Sequence, residues 1–150
     1  MNPRQKEKWT KDPDEAPKKK NKLPKEKSLA TLKSELTKVF NEYIRKRDAM
    51  GNKFQCISCG KPQPLDQMNA GHFYSAGHNE SIRWDERNVN GQCVRCNCFL
   101  HGNLLEYERG MRTKWGQKTL DELSVRRHNR SKMAKFEVSL LIDEYKLKLK

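Results

Sequence analysis

The chain has 150 residues, a length that predicts one compact domain plus tails rather than two domains. Hydrophobic residues make up 34% and charged residues another 34%, which excludes a large apolar core over the whole length and leaves part of the chain solvated or in need of an extra tie. With 32 Lys+Arg against 19 Asp+Glu the net charge is +13, a balance that attracts polyanions, nucleic acid first among them, unless the charge merely keeps a tail in solution. No apolar run approaches the ~20 residues of a membrane span and the amino terminus is too polar for a secretory signal. A cytoplasmic protein that touches no membrane is the expectation.

Residues 1–27 hold four of the six prolines (Pro3, Pro13, Pro17 and Pro24) and the run Lys18-Lys19-Lys20. Such a segment buries too little surface to offset its ordering entropy, so a disordered basic tail is expected. Residues 28–150 then form a single domain. Ser28 suits a helix N-cap, and Leu29, Leu32, Leu36, Val39, Phe40, Tyr43 and Ile44 recur at helical spacing until Arg45, Lys46 and Arg47 close the segment. Residues 53–103 are dense in Gly, Pro, Asn and Cys, and only short strands fit, roughly 68–74 and 81–85. From about Asn97 the pattern turns helical and runs on through Leu104, Leu105, Tyr107, Met111 and Trp115 to Gly116. Thr119–Arg126 reads as a short helix. Ser131–Lys150 reads as a longer one, with Met133, Phe136, Leu140, Leu141, Tyr145 and Leu149 inward.

Cys56-Ile57-Ser58-Cys59 and Cys93-Val94-Arg95-Cys96 are two Cys-x-x-Cys pairs with 33 residues between them. Each pair can give two of the four thiolates that a tetrahedral zinc takes, and an all-thiolate site has no open position for catalysis. Its expected task is structural, with ~10–16 kcal/mol of apparent folding energy, more than so polar a block gains from its own core. A redox-active pair is the alternative, but no thioredoxin-like βαβ pattern surrounds either one. Cys98 is left over and reads as a spare thiol or small hydrophobe.

Between and just after these pairs lie Gly71-His72, Asn88 and Asn97. Their order is that of the His-Asn-His (HNH, ββα-metal or His-Me finger) nucleases, in which a β-hairpin and a helix grip one divalent ion. The stretch from Glu86 to Asn97 is similar to that signature. A closer resemblance covers roughly residues 40–149: Cys-Ile-Ser-Cys-Gly (56–60), Ala-Gly-His (70–72), Glu-Arg-Asn (86–88), Gln-Cys-Val-x-Cys-Asn (92–97) and Gly-Asn-Leu (102–104) resemble the phage NinG/Rap recombination proteins. The resemblance implies a phage or prophage protein and cleavage of branched DNA such as Holliday junctions and D-loops. A nuclease that nicks ordinary duplex DNA and a non-catalytic zinc module that binds DNA are the rivals. The fold expected is α+β: a zinc-stapled ββα-metal core flanked by an amino-terminal helix and carboxy-terminal helices.

The residue chemistry agrees with that reading. Phosphodiester hydrolysis needs a base for water, and an imidazole can serve at neutral pH; His72 is assigned that role. The amide oxygen of Asn97 can help hold a catalytic Mg2+ or Mn2+, and Asn88 can hold the hairpin loop or the His72 ring in place. Junction resolvases of the endonuclease VII type place Asp before the base, where this chain has Gly71. His101, four residues after Asn97 and so on one helix face with it, is a candidate second ligand, with Asn69 and Asp66 behind it. His78 competes with His72 for the base but suits a turn better. Arg83, Arg87, Arg95, Arg109 and Arg112 flank the motif as candidate phosphate contacts, each with a solvated surface charge as its plainer reading. Symmetric junction cleavage would favour a homodimer, for which the end helices offer surfaces.

Overall fold

The computed structural model describes residues 26–130 and 132–150. The expected disordered tail therefore lies, all but its last two residues, outside the described residues. Within them the order is α1 (Leu29–Asp48), β1 (Ala49–Met50), β2 (Lys53–Gln55), β3 (Pro62–Pro64), β4 (Met68–His72), β5 (Val89–Cys93), α2 (Leu104–Trp115), α3 (Gln117–Arg126) and α4 (Lys135–Lys148). This is a small α+β arrangement with two antiparallel sheets, β1-β2-β3 and β4-β5.

Ser28 caps α1 as its chemistry suggests, its hydroxyl accepting from the Thr31 amide at 3.1 Å. The apolar stripe turns inward: Leu32, Leu36, Phe40 and Ile44 are buried, with Leu29, Val39 and Tyr43 partly so. Full burial of side chains this size contributes about 1.5–3 kcal/mol each, so the stripe rather than the charged outer face fixes how α1 sits. It packs on α4, where the Phe40 ring meets the Tyr145 ring edge-on at 5.0 Å. Lys146 of α4 also reaches Glu35 at 2.9 Å.

The inner face of α4 differs from the expected one. Val138, Ile142 and Tyr145 are buried, whereas Phe136 and Leu140 are exposed. Apolar residues lie all round this helix, so periodicity alone could not set its phase. The helix starts at Lys135, with the Ala134 amide donating to Glu137 at 2.6 Å. The Ser131 start falls on a residue outside those described.

The strand expected at 81–85 is absent. Glu80–Ile82 is a single tight turn, and the partner of β4 is β5, in the register Met68↔Cys93, Ala70↔Gly91, His72↔Val89. Ile82 and Trp84 alternate as a strand would, but they enter different cores. Ile82 packs with Tyr107, Met111, Leu120 and Leu123, and Trp84 with α1 and α4. All of β5 is buried although two of its five residues are Asn90 and Gln92. Most of their amide groups are matched internally, as buried polar groups require: Asn90 accepts from Arg47 and the Trp115 indole, and Gln92 Nε2 donates to Ser58 and the Gly102 carbonyl, while Gln92 Oε1 is buried without a partner among the described residues.

The helix expected from Asn97 is also corrected. Arg95–Phe99 makes one wide π-type turn, His101 and Asn103 then take left-handed backbone (φ 49° and 43°), and α2 begins at Leu104. Gly110 inside α2 is explained by contact: a Cβ there would stand 1.9 Å from the Ile57 carbonyl oxygen. The helix thus lies directly on the first cysteine pair. Among the described residues no helix is long and apolar enough to cross a membrane.

Candidate metal centre and substrate cleft

The sulfur atoms of Cys56, Cys59, Cys93 and Cys96 lie within 4.8 Å of one another. Thiolates about 2.3 Å from a tetrahedral zinc would be about 3.8 Å apart, so a small inward shift closes the cluster on an ion. The sulfurs already accept hydrogen bonds, from the Cys93 amide to Cys56 (3.3 Å), the Cys96 amide to Cys93 (3.4 Å) and the Asn103 side chain to Cys96 (3.5 Å). Burial pushes the Cys93 and Cys96 thiols up, and only a cation among them would make them thiolates at neutral pH. The four cysteines could therefore bind a metal such as zinc. Phe54 and Met68 pack against them. Cys98 stands outside the group, exposed, with the Asn69 amide 3.6 Å from its sulfur.

At the far end of the hairpin, His72 closes β4. Its Nε2 lies 2.9 Å from the Arg83 carbonyl oxygen; a carbonyl can only accept, so Nε2 carries the proton and Nδ1 keeps the basic lone pair. Burial lowers its pKa, with the Arg83 carbonyl opposing that shift and the Arg83 charge adding to it. The ring is therefore neutral at neutral pH.

Asn88 does not touch that ring. It is fully buried and ties the 73–88 loop shut: Oδ1 accepts from the Tyr74 amide at 2.9 Å, and Nδ2 donates to the Tyr74 and Ile82 carbonyls at 3.1 Å each. Of the two tasks expected for it, the structure places Asn88 at the loop.

His72, Asn97 and His101 line one cleft of about 960 Å3, together with His78, Tyr74, Glu108 and Arg127. His101 reaches it from the left-handed turn and not from a helix face shared with Asn97. Asp66 and Asn69 do not line it. Glu108 is the single acidic side chain in the lining, and its carboxylate meets Arg112 at 2.5 Å. Gly71 explains why no carboxylate precedes His72, because the Gln92 side chain crosses the space an Asp would need.

The five candidate arginines are not brought together. Arg83 lies over the Trp84 ring at 5.3 Å. Arg87 is held by Asp85 and Glu122, which fixes the loop to α3 and raises its already high pKa, so its site is internal. Arg109 pairs with Glu106 and Arg112 with Glu108 along α2. Arg95 is exposed beside Cys96 and borders a separate groove. Arg127 and Glu108 are not singled out from sequence, since neither belongs to a motif.

Four cysteines that could bind a metal thus gather at one end of the hairpin, and a histidine-lined cleft lies at the other. The chain belongs to the NinG family: it matches the family described as bacteriophage lambda NinG protein over residues 2–150. It is 36% identical over 110 residues to the protein ninG of Escherichia phage 933W, of Escherichia phage lambda and of Salmonella phage P22. In each case the match covers 73% of this chain and 52% of the relative, so the chain spans about half the length of the curated relatives it matches. No solved structure matches it with significance.

Proposed function

We propose that this chain is a metal-dependent endonuclease of the HNH type that cuts branched DNA, with a structural zinc on its four cysteines. The observation that carries the proposal is the His72 tautomer: its Nε2 is tied to the Arg83 carbonyl, which leaves Nδ1 as a base in a cleft it shares with Asn97. Antiparallel β4 and β5 followed by the Arg95–Phe99 turn correspond to the hairpin and helix of a ββα-metal unit. The resemblance to NinG/Rap recombination proteins supplies the substrate class.

The hydrolytic step follows from these groups. His72 Nδ1 takes a proton from water, the water oxygen forms a bond to phosphorus, and the bond to the 3′ oxygen breaks. Burial keeps His72 neutral and ready for that proton, and Asn88 holds the loop on which the Arg83 carbonyl depends. Asn97 and His101 could hold a hard cation, and the chemistry fits only in part. Apart from the cysteines, no three His, Cys, Asp or Glu donors converge among the described residues, so water and phosphate would complete the shell. When bound, Mg2+ or Mn2+ would polarise the phosphoryl oxygen and offset charge at the departing one.

Incubating the protein with four-way junctions, D-loops and linear duplexes, with and without Mg2+ or Mn2+, tests the reading. Junction cutting that exceeds duplex cutting and needs the cation is the expected result. His72→Ala should bind the same DNA and cut it far more slowly. Equal nicking of all DNAs would point to the duplex-nicking rival. The absence of a carboxylate at position 71 favours a second reading, a zinc module that only binds DNA; failure to cut any DNA under these conditions would select it.

A further inference from the structure

Arg127 follows α3, its amide donating to the Leu123 carbonyl at 3.0 Å. Its guanidinium lies over the Tyr74 ring, 4.7 Å from the centroid, and both side chains line the His72 cleft. Nearby arginines are differently placed: Arg87, Arg112 and Arg126 are each paired to a carboxylate. Among the described residues Arg127 has no carboxylate partner; its Nε donates to His128 Nε2 at 3.2 Å. It is the one Arg or Lys in the cleft lining.

Its support is also fixed. Asn88 hydrogen-bonds the Tyr74 backbone on both sides, and the Tyr74 ring packs edge-on against Phe73 at 4.7 Å, which in turn packs on Tyr107 at 5.4 Å. A planar fork stacked on a braced aromatic ring has lost most of its freedom before any ligand arrives. The two terminal nitrogens keep their donors, and a forked pair of donors matches two oxygens of a phosphodiester.

We propose that Arg127 grips a phosphodiester of the strand lying in the cleft, with Tyr74 as its positioning residue. The effect on cutting rests on the nuclease reading above; the contact itself does not. Arg127 brings into the cleft, from a helix far along the chain, the positive charge that the motif residues lack. A neutral His72 and the Asn97 amide carry no charge with which to draw a phosphate in.

The test compares the 150-residue chain with its Arg127→Ala and Arg127→Lys variants, and with Tyr74→Ala. Binding to a four-way junction is measured against salt in Ca2+, and cutting in Mg2+. Arg127→Ala should flatten the slope of log K against log salt by about 0.9 and lower kcat/KM about 100-fold, with an unchanged melting midpoint. Arg127→Lys should restore the slope but only part of the rate, because an ammonium offers no fork. Added guanidinium, below denaturing levels, should speed Arg127→Ala and not the parent. Tyr74→Ala should lower kcat and keep the slope. An Arg127→Ala protein with the parent's slope and rate overturns the proposal. If the parent cuts no DNA, the nuclease reading fails, and the salt slope still decides whether Arg127 holds a phosphate.

Discussion

Gly71 lies directly against the side chain of Gln92: a Cβ on residue 71 would stand 2.3 Å from Gln92 Oε1 and 2.9 Å from its Cβ. Gln92 is fully buried and donates to Ser58 at 2.7 Å and to the Gly102 carbonyl at 2.6 Å. It thereby links the first cysteine pair to the left-handed turn ahead of α2. Gly71→Ala should therefore destabilise the protein by about 1–3 kcal/mol through overpacking, and Gly71→Asp by more. Urea denaturation measures both; a Gly71→Asp protein as stable as the parent would show that the Gln92 side chain is easily displaced.

Gly110→Ala sets two effects against each other. Alanine favours a helix over glycine by about 1 kcal/mol, but its methyl carbon would press on the Ile57 carbonyl, a backbone atom that cannot swing away. The clash should win, with a lower denaturation midpoint and weaker metal retention at the adjacent cysteines. A stabilised Gly110→Ala would mean that α2 does not sit where the structure has it.

Metal removal should be the most damaging change. With ~10–16 kcal/mol at stake for a structural zinc, a strong chelator or Cys93→Ser should abolish cooperative unfolding of the 53–103 block, followed by near-UV circular dichroism. Metal analysis should find one zinc per chain in the parent and in Cys98→Ser, because Cys98 stands apart from the four. A Cys98→Ser protein that loses its zinc would contradict that ligand set.

The pH profile of cutting should reflect the buried base. His72 has its pKa lowered, burial being the main cause, so its neutral, proton-accepting form survives below the ordinary imidazole value of about 6.5. Activity should hold as pH falls past that point and then decline along a limb displaced to acid. A limb centred at or above 6.5 would remove His72 as the titrating base.

Asp48 gives a second pH signature, in stability. Burial alone would raise its carboxyl, but Arg47, Lys114 and the Gly91 amide (2.7 Å) together hold it below the ordinary range. The folded value thus lies below the unfolded one. The contribution is present above about pH 4 and lost as pH falls through the folded value. Asp48→Asn should weaken the protein by roughly 3 kcal/mol at pH 7, since it leaves Arg47 short of its partner, and should flatten the acid loss. An unchanged acid limb would assign that loss to other carboxylates.

How much of this was legible in sequence depended on whether a residue's partners are near it in the chain. α1 was readable because a stripe at 3.6-residue spacing needs only itself, and Ser28 announces the cap. The cysteine cluster was readable because two Cys-x-x-Cys pairs have few other uses. β5 was not, since Val89–Cys93 mixes Asn, Gly and Gln, whose burial is made tolerable by Arg47, Ser58, Gly102 and Trp115 from elsewhere. Ile82 and Trp84 mimicked a strand because two different cores each claimed one of them. His72, Asn97 and His101 line one cleft, although the helix invoked to align the last two is a turn. Arg127 carried no local mark at all.

The β4-β5 register sets Met68 opposite Cys93 and His72 opposite Val89, so the anchored end of the ribbon and its working end are four residues, or about 13 Å, apart. Mutational drift within the stretch from residue 73 to residue 87 can therefore remodel the mouth of the cleft while the anchor stays as it is. Asn97 has no such freedom: it is bonded directly to Cys96 and moves with the cysteine cluster.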